Sequence, residues 1–244
     1  MGLITAWSPS RLADFEVCAY RAKLKIIDRV PEPERPLPKG KTEHANDRGT
    51  RIHLESENFV RGKGKLPIEA IHFKDELESL KTSFKEGSVS LEGEWAFDEN
   101  WKPCDWRDKK RAWLRLKIDA LKLMSRIRAC VVDYKSGRKF GNEIKHGEQM
   151  QIYAIATAAR MPELQDIDVE LWYFDQNDLT HEAKPASKWS YMRKAYHNRG
   201  MKMTTATEFK PNPSKYACQW CPYREGICKF AYREVPVRRK GDLV

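Results

Sequence analysis

Six polar side chains of this sequence have types and spacing that suit phosphodiester chemistry. Asp133 and Lys135 fall two apart in the run Val131-Val132-Asp133-Tyr134-Lys135-Ser136-Gly137. On a strand, residues two apart point to one side. A carboxylate and an ammonium at the end of a buried apolar strand are costly unless they are paired or bind something. Upstream, residues 114–121 offer a second strand carrying Asp119, and downstream Gln149 and Tyr153 are four apart, so on a helix they share a face. His53 and Glu57 have the same spacing in an earlier helical stretch. Asp119 and Asp133 supply hard oxygen ligands of the kind Mg²⁺ or Mn²⁺ takes, and the backbone carbonyl of Tyr134 can supply another. Beside those two carboxylates His53 becomes a candidate ligand too. Lys135 can orient a water and stabilise a pentavalent transition state. Gln149 can fix Lys135 or that water, with Tyr153 one turn on. Taken singly, Asp133 and Lys135 also read as an edge-strand salt bridge, and His53 and Glu57 as a solvated pair.

These side chains need particular elements to position them. Ala129-Cys130-Val131-Val132 reads as a short buried strand leading into Asp133. Residues 89–97 alternate as a further strand, and Val169–Phe174 as another, expected beside the Asp133 strand after a crossover helix over 147–160. Helices are expected over 7–27, with Ser8 as N-cap and Pro9 at the first position, over 43–60, 74–86 and 187–200. Cys18 lies on the first of them. Residues 30–40, with prolines at 31, 33, 36 and 38, read as a loop, as do 101–106. This order argues for one α/β core with an N-terminal helical section folded onto it.

The chain has 244 residues, 41% of them hydrophobic, enough for one sizeable core. No stretch approaches about 18 apolar residues, so no membrane span is expected. The N-terminus lacks a charged segment and a long apolar core, so no secretion signal is read and a cytoplasmic location is expected. The net charge of +10 favours a polyanionic partner such as DNA. Arg107, Lys109, Lys110 and Arg111 form one basic run, and Arg138 and Lys139 carry positive charge on from Lys135; all six are candidate contacts to a phosphate backbone. Solvated turns account for the same residues. The tail Arg238-Arg239-Lys240 is basic as well. Most of the eight Trp and nine Tyr are expected in the core, some as stacking platforms for single-stranded bases.

Of the six cysteines, three fall within eleven residues, as Cys218-x2-Cys221-x6-Cys228. In a reducing compartment such spacing points to a metal site rather than to disulfides. Four thiolates could hold Zn²⁺ or a 4Fe–4S cluster, and spacing does not separate these. The remaining cysteines are Cys18, Cys104 and Cys130, the last in the buried strand.

Gly49-x3-His53, Asp119, Asp133-Tyr134-Lys135 and Gln149-x3-Tyr153, in that order, resemble the RecB-type branch of the PD-(D/E)XK nuclease superfamily. The opening Ser8-Pro9-Ser10-Arg11-Leu12-x2-Phe15-x2-Cys18 and the closing cysteine triplet resemble its iron–sulphur members. Those include CRISPR-associated RecB-like exonucleases, the nuclease domains of AddB-type helicase–nucleases and related phage proteins. The resemblance runs from about residue 7 to 230. It implies a restriction-endonuclease-like core, a mixed central sheet flanked by helices, in a single nuclease domain over 1–244. Within it, 7–87 are mainly helical, 88–185 hold the catalytic sheet and crossover helix, and 186–232 hold a helix and the iron–sulphur segment. It further implies Mg²⁺ or Mn²⁺ on His53, Asp119 and Asp133, a catalytic Lys135, and Cys18 as the fourth cluster ligand, with Cys104 and Cys130 as alternatives. The chain departs from the pattern in one place, lacking the glycine the family often sets three residues before Asp119; position 133 is Asp rather than Glu, which is common in this branch. The activity implied is a deoxyribonuclease leaving a 5′-phosphate, most simply an exonuclease on single strands or DNA ends. The rival expectations are a non-catalytic DNA-binding module and a structural subunit docking on a helicase or recombinase, alone or as an oligomer.

Overall fold

The structure, a computed structural model, describes residues 2–233; the basic tail at 238–240 lies outside them. The first helix, α1 (Pro9–Val17), starts as the sequence requires: Ser8 Oγ accepts from the Arg11 amide at 3.4 Å and Pro9 occupies the first turn. The expected long helix then breaks. Cys18 is extended, φ −160° and ψ 107°, between α1 and the short α2 (Ala19–Ala22), which runs on as a π-helical turn to Ile27. Cys18 therefore sits at a helix junction rather than on a helix. Helices α3 (Ala45–Val60) and α4 (Lys74–Lys85) follow, separated by a 3₁₀ segment over Ile68–Phe73.

Six strands come next: β1 (Val89–Phe97), β2 (Pro103–Cys104), β3 (Leu114–Leu123), β4 (Arg128–Lys135), β5 (Asp166–Tyr173) and β6 (Asp178–Pro185). They form one sheet in the order β2-β1-β3-β4-β5-β6. Only β4 and β5 are parallel, as the crossover through α5 (Glu143–Arg160) demands; all other pairs are antiparallel. Helix α6 (Ala186–Thr204) and the short α7 (Lys215–Cys218) close the chain. The segment expected to be a loop over 101–106 contributes the two residues of β2, and β6 was not expected.

The sheet is covered on both faces. One core holds Leu12 and Phe15 of α1, Ile152 and Ala156 of α5 and Trp189 of α6; the other holds Ile52 of α3 and Leu77 and Leu80 of α4. In β4, Ala129 and Val131 face the α5 side while Cys130, Val132 and Tyr134 face the α3 side. Alternation then sends Asp133 and Lys135 toward α5. In β1 and β3 the alternation changes phase midway. Val89 and Ala120 belong to the α3–α4 core, whereas Trp95, Phe97, Leu116 and Ile118 belong to the other. The change falls at Glu92, whose φ is +47°, and at Asp119, between the paired Leu91↔Ala120 and Gly93↔Ile118. Pairing of β3 with β4 covers only Ala120 to Leu123, so the strands part at Asp119 and Asp133. That parting opens the sheet where the candidate residues stand.

Candidate active site

The gap between β3 and β4, roofed by α3 and α5, is a cleft of about 790 Å³. His53 reaches it from α3, Glu92 from β1, Asp119 from β3, Asp133 and Lys135 from β4, and Gln149 and Tyr153 from α5. Helix α3 can approach this closely because residue 49 is glycine: a Cβ there would lie 3.0 Å from Ser136 Oγ. Arg48, on the same helix, donates to Ser136 O at 2.9 Å and pairs with Asp175 at 2.7 Å, fixing the turn after β4 against α3.

Asp119 uses both oxygens. Oδ1 lies 3.1 Å from His53 Nδ1, and Oδ2 accepts from the backbone N–H of Tyr134 at 2.7 Å. Lys135 Nζ donates to Gln149 Oε1 at 2.7 Å and lies 2.5 Å from Asp133 Oδ2. Gln149 Nε2 in turn donates to Tyr153 Oη at 2.6 Å and reaches Asp133 Oδ1 at 3.4 Å. Gln149 thus holds the ammonium with its oxygen and turns its amide nitrogen to Tyr153 and Asp133. His53 is not paired with Glu57, which instead binds Arg61 at 2.7 Å.

Burial and charge crowd the carboxylates. Burial pushes the pKa of Asp133 up and Asp119 adds to this, against the pull of Lys135. Glu92 is raised by burial and then by the charges of Asp119 and Glu57. Burial works against charge on His53, but the hydrogen bond and charge of Asp119, with Asp133 beyond, outweigh it and raise its pKa. Asp133 Oδ2 is buried, and its one close partner among the described residues is the Lys135 ammonium at 2.5 Å. Ligand atoms of His53, Glu92 and Asp119 all lie within 4.8 Å of one another. An imidazole and crowded, buried carboxylates are what a divalent cation would neutralise, so the residues fit such an ion.

Glu92 escaped the sequence reading. It stands in an alternating strand, where a glutamate reads as solvent-facing, and nothing in its type signals the left-handed backbone that turns it to Asp119. His146 was also passed over. It lines the cleft, with Nδ1 2.9 Å from Tyr173 Oη, and burial, then Lys135 and Lys145, lower its pKa to about 4.

The basic residues singled out in the sequence separate. Arg138 lines the cleft. Lys139 is paired with Asp178 at 2.6 Å and stands over the Tyr173 ring. Arg107, Lys109, Lys110 and Arg111 lie in the exposed turn between β2 and β3, organised by Asp105 and Asp108 side chains accepting backbone amides, and Arg111 meets Asp98 at 3.4 Å. They do not line the cleft. Tyr134 faces away on the α3 side, so only its backbone can serve the site.

Apart from this cleft, Cys18, Cys218, Cys221 and Cys228 line a single small cavity of about 20 Å³, walled by Leu24 and Phe230. Burial raises the Cys221 pKa, and the neighbouring Cys228 and Cys18 add to it against the Tyr223 amide and Arg21. Backbone amides of Asn212 and Tyr232 point at the sulphurs of Cys18 and Cys218, at 3.4 and 3.3 Å. Cys104 stands in β2 and Cys130 in the core, apart from this cavity.

The family model of the PD-(D/E)XK nuclease superfamily matches residues 6–229. No curated protein matches the chain. Among solved structures, one described as the crystal structure of SSO0001 is similar at 13% identity and a TM-score of 0.47, covering 94% of this chain and 88% of that one. Another, LHK-Exo in complex with dAMP, is similar at 12% identity and a TM-score of 0.27, covering 82% of this chain and 93% of that one.

Proposed function

Because this chain belongs to the PD-(D/E)XK nuclease superfamily, we propose that it is a metal-dependent deoxyribonuclease of the RecB-like iron–sulphur branch, acting as an exonuclease on single strands or DNA ends. What carries this is the meeting, in one cleft, of the His53, Glu92 and Asp119 ligand atoms with an ammonium, Lys135, that Gln149 fixes beside Asp133.

His53, Glu92, Asp119, Asp133 and the Tyr134 carbonyl would hold Mg²⁺ or Mn²⁺. Such an ion, when bound, neutralises charge on the phosphate and makes water a better nucleophile. Asp119 holds the His53 ring by its Nδ1 and ties β3 to the Tyr134 amide, so the ligand set is built before an ion arrives. Lys135 brings a positive charge to the phosphate oxygens as the pentavalent state forms, and its bond to Gln149 keeps that charge in place through the reaction. Tyr153, buried and hydrogen-bonded to Gln149, orients the amide that does this. Arg138 and Lys145, exposed on the cleft wall, complement the phosphates of a bound strand. The four cysteines of the small cavity would hold a 4Fe–4S cluster in a structural role, joining the two ends of the described chain; iron and zinc analysis of the purified protein decides between that and Zn²⁺.

The test is digestion of end-labelled linear and of circular single-stranded DNA with Mn²⁺ or Mg²⁺, wild type beside Lys135→Ala. Loss of about 10² to 10³ in rate is expected for the variant, the scale of removing one fixed charge from a transition state. Degradation of the linear strand with the circle spared supports an exonuclease. A metal-loaded wild type that cuts neither would overturn the proposal.

A further inference from the structure

Behind Gln149 and Tyr153 a second cleft opens, of about 360 Å³, sharing those two residues and Lys117 with the first. Arg11 of α1 and Arg115 of β3 line it too, with Ser8 and Ser10 at the start of α1 and Trp106 from the turn before β3. Three cations line it, of which Lys117 pairs with Glu94 at 3.2 Å, and no carboxylate among the described residues lines it. Arg115 Nε donates to Trp106 O at 3.0 Å, and its guanidinium lies 5.9 Å from the Trp106 ring centroid. Both terminal nitrogens of Arg115 are left without a partner among the described residues. Arg11 Nη1 reaches only Ala6 O, at 3.5 Å, the outer edge of a hydrogen bond. Enclosure, and then repulsion from Arg115, lower the Arg11 pKa.

Arginines elsewhere in the molecule are of two kinds: Arg138 and Arg160, like these two, have no carboxylate partner among the described residues, while others are paired. Arg48, Arg51, Arg61, Arg128 and Arg199 are each held by a carboxylate within 3 Å. Two guanidiniums set against each other without a counter-ion are unfavourable until an anion joins them. Their forked donors suit phosphate oxygens. Trp106 is half-buried and alone among the cleft's aromatics comes from a surface turn, while Trp7 and Tyr153 are buried.

We propose that this second cleft is a strand-holding subsite, in which Arg11 and Arg115 take a backbone phosphate and Trp106 a flanking base of a single-stranded DNA whose scissile bond lies at Asp133 and Lys135. The proposal rests on the nuclease reading for the position of the cut. A single strand is specified because a base must be unstacked before it can lie on an indole. The shared wall of Lys117, Gln149 and Tyr153 sets the two clefts side by side, so one strand passing over it would meet both.

The test reads binding alone: fluorescence anisotropy of a labelled oligothymidylate with the full chain, without divalent metal, over a range of salt. In the double variant Arg11→Gln/Arg115→Gln, the slope of log K against log salt should fall by about 0.7 for each phosphate the protein no longer neutralises. Trp106→Leu should weaken binding about tenfold with the slope unchanged. Lys63→Gln, in the exposed turn after α3, removes one charge elsewhere and should alter neither. Should the double variant melt early, Arg11→Gln alone, on an exposed residue, carries the same test. Wild-type affinity and slope in the arginine variants overturn the subsite. If those variants bind unchanged while wild type cleaves through Lys135, the subsite fails and the nuclease reading stands. If they lose binding while wild type never cleaves, the subsite stands and the nuclease reading fails.

Discussion

Glu92 joins His53 and Asp119 only because its backbone is left-handed, at φ +47°. A non-glycine residue held there costs of order 1–3 kcal/mol, and such strain gathers at functional sites. Glu92→Gln keeps the size and the strain but removes the charge. Its Mn²⁺ affinity, followed by the loss of the free-ion signal in electron paramagnetic resonance, should fall at least about tenfold. An unchanged affinity would place Glu92 outside the ion's ligands. Folding also changes the titration of His146. Its pKa drops from 6.5 to about 4 on folding, so between those values the unfolded chain binds the extra proton. Stability must then rise with pH across that window and be lost as pH falls through it. The side chain is partly open to solvent, which screens the effect to about 1 kcal/mol. His146→Gln cannot titrate, so its melting temperature should drop less than wild type's between about pH 7 and pH 5; equal drops would show that the imidazole titrates alike in both states.

Elements were legible where apolar side chains carried the pattern. β4 reads from Ala-Cys-Val-Val and β5 from Val-Glu-Leu-Trp-Tyr, because both are buried among neighbours. β6 does not, since it is an edge strand held by its ladder to β5, and its side chains alternate only between half-buried and exposed. Asp133, Lys135, Gln149 and Tyr153 were found together because periods of two and four fix which residues share a face. Glu92, Arg115 and Trp106 were not, because a phase change in two strands and the course of a turn place them, and neither is written in residue type. Packing of α6 was equally hidden. Gly200 stands where a Cβ would lie 2.5 Å from Trp7 Nε1 and 2.8 Å from Trp113 Cζ2, inside the edge-to-face cluster of Trp7, Trp101 and Trp113. Alanine in a helix is favoured over glycine by about 1 kcal/mol, yet forcing a methyl into a filled core costs about 1–3 kcal/mol. Gly200→Ala should therefore lower the melting temperature, and a rise would mean that the indoles can yield.

The two ends of the described chain meet at a cavity that shares no residue with the cleft at the sheet opening. Cys18, from the break between α1 and α2, shares a cavity with Cys218, Cys221 and Cys228. The same junction is tied by Asn212 Nδ2 donating to Val17 O at 3.0 Å and Tyr223 Oη donating to Val30 O at 2.9 Å, and Tyr20 packs edge-on to Phe230 at 5.1 Å. Phe15 also packs edge-on to Phe209 at 6.2 Å and Arg199 of α6 holds Glu16 at 2.7 Å, so a group bound by the four thiols would add to direct ties in closing this long loop. Helix α1 also carries Arg11 and lies against α5, whose Gln149 orients Lys135. Cys18→Ser should therefore lower bound iron or zinc and reduce the melting temperature by several degrees, at about 2–4 °C per kcal/mol for a chain of this size. It should also weaken oligothymidylate binding, through Arg11, more than Mn²⁺ binding, whose proposed ligands stand on α3 and the sheet. A variant that keeps its full metal content would remove Cys18 from the ligand set. One that loses the metal but melts as wild type does would show that the direct ties alone close the chain.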